Sequence, residues 1–252
     1  MTEVPSASRR DADHDSLAPA SPDIAGATWL RRIARDWLAF VVLGTIALLG
    51  FAKVGEDVFN HESGSFDATV QRWMLAHQNA AAHQLFTGIT IVGGITGMEV
   101  LAVLGAVFFW YRGRRRVAAS VLVAPVVAIA SFNVIKRIYE RPRPLGLGDP
   151  VDSTYSFPSG HATASAAVCC TLAYVLWRER FIHGWIALVI AIGAPLLVGL
   201  SRLYLNVHWA TDVIGGWCAG VFVAVLAVVL YDRYRRRRST AAARTTRTHP
   251  YS

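Results

Sequence analysis

Six long runs of apolar residues, separated by short polar connections, constrain this chain more than any other feature. The runs are residues 37–52, 85–111, 117–135, 159–177, 182–205 and 211–231. An α-helix rises about 1.5 Å per residue, so about 20 apolar residues cross the hydrocarbon core of a bilayer. The first run is short, but Lys53 at its end is placed to reach an interface along its own aliphatic stem. A soluble α/β enzyme would have to bury all six runs in one core. With 252 residues, 54% hydrophobic and 17% charged, too little polar surface is left to cover it; a soluble domain carries about 25% charged residues. A mean hydropathy of +0.37 points the same way. The expected fold is all-α, a polytopic membrane bundle of about six transmembrane helices.

Composition divides the chain into three. Residues 1–28, rich in Ser, Ala, Pro, Asp and Arg, read as a disordered tail without the apolar stretch of a secretory signal. Residues 29–232 form the membrane domain, entered through a short interfacial helix around Trp29, Leu30 and Ile33. Residues 233–252 read as a basic disordered tail. Cys169, Cys170 and Cys218 all sit inside apolar runs, with neither disulfide nor metal-ligand spacing, and read as packing residues. Gly93, Gly94 and Gly97, like Gly215, Gly216 and Gly220, read as close helix contacts, and Pro195 as a kink in the fifth run.

The net charge of +8 does not indicate nucleic acid, because the basic residues flank apolar runs instead of forming one interleaved patch. They are topology signals and contacts for anionic membrane lipids. Arg31, Arg32 and Arg35, then Arg112 and Arg114 to Arg116, then Arg178 and Arg180, then Arg233 and Arg235 to Arg238 fall on one side of a six-span chain. The positive-inside rule makes that side the cytoplasm, with both termini there, in a multi-pass protein of the cell membrane. Lys136, Arg137, Arg141, Arg143 and Arg202 then lie on the extracytoplasmic side, against the rule. Cations kept there call for an anion to bind.

Three stretches hold these residues: Lys136 to Pro144 after the third run, Phe157 to His161 opening the fourth, and Ser201 to Asp212 joining the fifth and sixth. The six-span layout puts all three on one face. Lys136, Arg143 and Arg202 supply positive charge for a phosphate, with arginine able to hold two oxygens at once. Pro158, Ser159 and Gly160 mark a helix start, where free N–H groups and the macrodipole favour an anion. His208 and Asp212 are four apart, adjacent on one helical face if the sixth helix starts there, so Asp212 can orient and stabilise the imidazole. His161 is placed to protonate a leaving oxygen. Plainer readings exist for each part alone: a snorkelling Arg202, a stiff Arg141-Pro142-Arg143-Pro144 loop touching phospholipid, interfacial histidines such as His61, His77, His83 and His183. A charged group at mid-bilayer costs about 2.5–3.5 kcal/mol, so several converging on one face by accident is a poor account. Asp149 and Asp152, in the loop between, read as turn residues.

Lys136-x6-Arg143-Pro144, Pro158-Ser159-Gly160-His161 and Ser201-Arg202-x5-His208-x3-Asp212 resemble the three-part signature of the type 2 phosphatidic acid phosphatase superfamily, the lipid phosphate phosphatases. The resemblance covers about residues 37–231 and leaves out both tails. It implies hydrolysis without metal or other cofactor: His208 attacks phosphorus to give a phosphohistidine, and His161 protonates the departing group. Lys136, Arg143, Ser159, Gly160 and Arg202 would hold the phosphoryl oxygens, and Asp212 would support His208. Undecaprenyl diphosphate is the first substrate expected from it, then phosphatidic acid or phosphatidylglycerol phosphate. A lipid phosphotransferase would share the phosphohistidine step. Vanadate-dependent halide oxidation uses a similar anion pocket, but the spans argue against it. A lipid-binding or transport protein would keep its activity without His208.

Overall fold

The computed structural model describes the backbone of residues 22–144 and 155–247 and the side chains of 37–144 and 155–235. The rest of both expected tails, and Asp149 and Asp152, lie outside the described residues. Among these residues all regular structure is helical: α1 (Pro22–Phe59), α2 (Gly64–Ala76), α3 (Ala80–Val92), α4 (Ile95–Tyr111), α5 (Arg115–Tyr139), α6 (Gly160–Arg178), α7 (Gly184–Tyr204) and α8 (Ala210–Arg247). Met1–Ala39 and Phe40–Ser252 are separate units; the first is described as the opening stretch of α1, and the second holds the bundle.

Trp37–Phe59, Arg115–Tyr139, Gly160–Arg178, Gly184–Tyr204 and Ala210–Arg235 are each long and apolar enough to cross a membrane. The sixth span departs from expectation. The run expected at 85–111 is two helices, α3 and α4, bent by 48° at Gly93 and Gly94. Gly93 ends one helix and Gly94, extended at ψ 175°, starts the next. The interfacial helix and first span are also not separate: with no breaker between them, α1 runs unbroken to Phe59. At the other terminus α8 continues to Arg247, past the Asp232 where the tail was expected to start. Ala and Arg are strong helix formers, and nothing in that stretch interrupts the pattern.

Helix α6 is the centre of the bundle, packed on α4, α5, α7 and α8. Its face of Ala162, Thr163, Ala166 and Ala167 lets a neighbour come close. Gly216 and Gly220 of α8 use that space: a Cβ on Gly220 would lie 2.5 Å from the Thr163 carbonyl oxygen, and one on Gly216 2.8 Å from that of Ser159. The buried hydroxyls of Thr163, Ser165 and Thr171 donate back to carbonyls one turn earlier, at 2.8, 3.2 and 2.7 Å, so none needs water. Outward, the bundle is apolar. Val41, Ile46, Leu49, Leu104, Leu188, Val189 and Ile192 are exposed, as lipid-facing side chains must be. The protein is a multi-pass membrane bundle whose polar interior is concentrated at one end.

Candidate active site

That end gathers the C-termini of α5 and α7, the N-termini of α6 and α8, and α2. Its framework is a pair of helix starts tied together. At α8, the Asp212 carboxylate reaches back one turn, and its Oδ2 accepts the Trp209 N–H at 2.9 Å. An acid in the third helical position satisfying the residue before the helix is half of a capping box. At α6, the Ser159 hydroxyl oxygen accepts the Ala162 N–H at 3.5 Å, and the Ser159 N–H donates to the Asp212 carbonyl at 3.0 Å. The two starts are thereby fixed relative to one another.

His208 is 3% exposed, with Nδ1 3.4 Å from Asp212 Oδ2. The expected pairing forms, but not along a helical face. Helix α8 begins at Ala210, so His208 precedes it, and the capping turn carries the imidazole to the carboxylate. The site loop at 139–144 closes against the same turn. Arg143 Nη1 donates to the Val207 carbonyl at 2.9 Å and Trp209 Nε1 to the Pro142 carbonyl at 3.0 Å. Ser156 returns the loop through its N–H to the Arg141 carbonyl at 2.8 Å and its hydroxyl to that of Pro142 at 3.1 Å. Beside it Tyr155 donates to Glu140 Oε1 at 3.0 Å, and that carboxylate holds the phenol above its ordinary pKa.

Arg202, in the last turn of α7, is 1% exposed and donates through Nη1 to Thr90 Oγ1 at 2.8 Å. The Val207 N–H bonds the Arg202 carbonyl at 3.2 Å, which brings the α7 end to the His208 turn. Lys136 is 5% exposed, its Nζ 5.8 Å from the centre of the Phe132 ring. The same ring abuts Gly160, where a Cβ would lie 3.3 Å from Phe132 Cε2. His161, half-buried, faces the break between α3 and α4: a Cβ on Gly94 would be 3.2 Å from His161 Nε2. All eight residues expected from the sequence thus lie at one end of the bundle. The Ser159 N–H is itself engaged by the Asp212 carbonyl. Gly160, as the first helical residue, keeps an N–H without an intrahelical acceptor.

Four residues of this end were not among those expected: Ser63, Asp67, Arg141 and Thr211. Arg141 joins two carboxylates. Its Nη1 donates to Asp212 Oδ1 at 2.6 Å and to Thr211 Oγ1 at 2.8 Å. Its Nη2 donates to Asp67 Oδ2 at 2.6 Å and to Ser63 Oγ at 3.2 Å. Asp67, 2% exposed on α2, also accepts the Thr211 N–H at 2.9 Å and the Thr211 hydroxyl at 2.7 Å. It therefore satisfies a free N–H of the first turn of α8 from outside the helix. Arg141 is not a free cation for a ligand, as its grouping with Lys136 and Arg143 implied. Removing one partner of such a buried pair costs about 3–5 kcal/mol. The signal in the sequence was Ser63 and Asp67, four apart at the start of the amphipathic helix α2. Nothing local named a partner 74 residues away.

Comparison with known proteins agrees with this geometry. Residues 116–236 match the PAP2 superfamily, a segment that contains every expected site residue. Phosphatidylglycerophosphatase B of Bacillus subtilis is 30% identical over 178 residues, covering 69% of this chain and 87% of that protein. An undecaprenyl-diphosphatase of Sulfolobus acidocaldarius is 31% identical over 129 residues, 49% of this chain and 59% of that one. The crystal structure of a transmembrane PAP2-type phosphatidylglycerolphosphate phosphatase from Bacillus subtilis superposes with a TM-score of 0.70 at 28% identity, over 75% of this chain and 96% of the other. With a relative 30% identical over most of both chains and a structure superposing at a TM-score of 0.70, the chain is a multi-pass membrane phosphatase and belongs to the PAP2 superfamily.

Proposed function

We propose that this phosphatase removes the terminal phosphoryl group of a lipid phosphate or diphosphate through a phosphohistidine on His208. The observation that carries the reading is a buried imidazole held at Nδ1 by Asp212, at the turn to which Arg143 and Arg202 are bonded. With its proton on Nδ1, His208 presents the Nε2 lone pair to phosphorus. The P–Nε2 bond forms as the bond to the lipid oxygen breaks, and His161 gives that oxygen its proton. Water then attacks phosphorus as the P–Nε2 bond breaks and its electron pair returns to His208, His161 takes the water's proton, and inorganic phosphate leaves. The ring carries positive charge in the intermediate, which the Asp212 carboxylate stabilises; the 3.4 Å separation shortens as that charge develops. Lys136, Arg143, Arg202 and the N–H groups at the start of α6 offset the charge on the phosphoryl oxygens.

Two supports bear on the substrate. The site lies at the end of helices whose outer faces are apolar, so a lipid reaches it from the bilayer. The relatives above carry names of phosphatases for phosphatidylglycerophosphate and undecaprenyl diphosphate, both lipids ending in a phosphoryl group. We place the site on the extracytoplasmic face and both termini in the cytoplasm, on the arginine bias of the connections.

The test is turnover by purified protein and His208→Ala on phosphatidylglycerophosphate, undecaprenyl diphosphate and phosphatidic acid, with and without EDTA. The expected result is a loss of at least about 10³-fold in the variant. EDTA should leave the wild-type rate unchanged, and an acid-labile, base-stable phosphoenzyme should form only in the wild type. Turnover surviving in His208→Ala would sink the mechanism.

A further inference from the structure

Helix α2 belongs to the polar and aromatic segment between the first two spans, whose amphipathic helix, with Trp73, suits a cover over the site or a surface helix at the interface. Its contacts say something more specific. Asp67 is buried, and the partners of its carboxylate among the described residues lead to the start of α8: Thr211 directly, through N–H and hydroxyl, and Asp212 through Arg141.

The two oxygens of Asp212 divide the work. Oδ1 is held by Arg141; Oδ2 accepts the Trp209 N–H and faces His208 Nδ1. A carboxylate bonded at Oδ1 by a fork that is itself anchored cannot rotate without breaking a charge-assisted bond. Arg141 is anchored in turn, because its second nitrogen is taken by Asp67 and Ser63, and its guanidinium lies 5.7 Å from the centre of the Trp209 ring. Without Asp67, Arg141 would keep one carboxylate partner and gain freedom to swing. Its whole charge would also fall on Asp212, weakening the carboxylate as a counter-charge for the imidazolium of the intermediate. Two carboxylates sharing one guanidinium leave Asp212 more negative than a simple ion pair would.

We propose that Asp67 and Arg141 are positioning residues: together they fix the orientation and charge of Asp212, which in turn orients His208, making α2 part of the phosphoryl-transfer apparatus. Both are engaged with protein partners, so they act on the chemical step and not on lipid binding. The relay rests on the phosphatase reading above.

The experiment compares full-length wild type, Asp67→Asn, Asp67→Glu and Arg141→Lys in mixed micelles with phosphatidylglycerophosphate or undecaprenyl diphosphate. For Asp67→Asn, kcat should fall about 30-fold while KM stays within about threefold, the mark of an interaction realised in the transition state. Asp67→Glu, which restores the charge, should recover part of that loss. In an Asp212→Asn background, adding Asp67→Asn should cost less than about threefold more, since residues acting through one another are not additive. A KM effect without a kcat effect, rates within twofold of wild type, or fully additive losses would each overturn the relay. If Asp67→Asn cannot be purified folded, Arg141→Lys is read by the same criteria, since it keeps the charge and loses the two-pronged geometry. Should the wild type turn over no lipid phosphate, the phosphatase reading fails. The relay is then judged by calorimetric binding of orthovanadate, a phosphate analogue that takes an imidazole ligand. Binding about tenfold weaker in Asp67→Asn supports it; equal affinity removes it.

Discussion

Both ends of the bundle are rich in arginine, yet the two use it in opposite ways. At the site end Arg202 and Lys136 are buried, and Arg141 and Arg143 bond named oxygens of the turn around His208. At the other end, Arg112 lies over Phe108 and Phe181, Arg115 over Trp110 and Arg116 over Tyr234, at 4.5–5.4 Å. A cavity of about 760 Å³ opens there, lined by Arg112, Arg114, Arg115, Arg116 and Arg235, with Glu179 the acid on its wall. Glu179 is itself taken by Arg114 and Tyr231. Guanidinium groups lying on aromatic rings at helix ends are well suited to an interface between water and headgroups. Buried ones bonded to carbonyls and carboxylates are held in one geometry. Desolvation separates the two: a cation removed from water is costly unless something compensates, so a cluster of them marks a site built for an anion.

This contrast can be broken or sharpened by substitution. The largest effect should come from Arg202→Ala, with kcat/KM for the lipid phosphate falling about 10²–10³-fold, as for loss of one donor to a transition-state oxyanion. An Arg202 that merely reached for the interface would show almost no change in that assay. Next is Gly94→Ala. The added methyl would lie 2.9 Å from the Thr90 carbonyl oxygen and 3.2 Å from His161 Nε2, so the break between α3 and α4 and the ring facing it must both give; a loss of about tenfold in kcat is expected for a displaced proton donor. Smaller again is Ser159→Ala, which removes the cap of α6 and should lower unfolding stability by about 1 kcal/mol, read from denaturation in detergent. The smallest effect belongs to the opposite end. Arg115→Ala with Arg116→Ala should leave kcat/KM within twofold and stability within about 0.5 kcal/mol. A large loss of turnover from that pair would erase the distinction between the ends.

How much of this was legible beforehand depended on the range of the interaction. The spans were readable because burial in lipid demands unbroken apolar runs, and each run announces itself. That the eight candidate residues would meet at one end was readable because they come in three short motifs, whose positions on one face follow from counting spans. The 48° break at Gly93 and Gly94 was not, although both glycines had been noted. Two adjacent glycines are compatible with close packing as well as with a bend, and the packed helices show both: a Cβ on Gly93 would collide with Val198, and the chain bends at the same place. The His208 and Asp212 pair was expected for a reason the structure replaces, a capping turn in place of a helical face.

From the sequence by itself follow the class of the fold, where its apolar runs lie and the residue types available to grip a phosphoryl group. Those are matters of pattern along the chain. Tertiary structure alone decided which partner each cation meets. Arg141 and Arg143 are two residues apart in one loop, yet the first is clasped between Asp67 and Asp212 while the second bonds the carbonyl of Val207. Charge is a property of the residue; the partner that neutralises it comes from 71 or 74 positions away and exists only once the helices have packed.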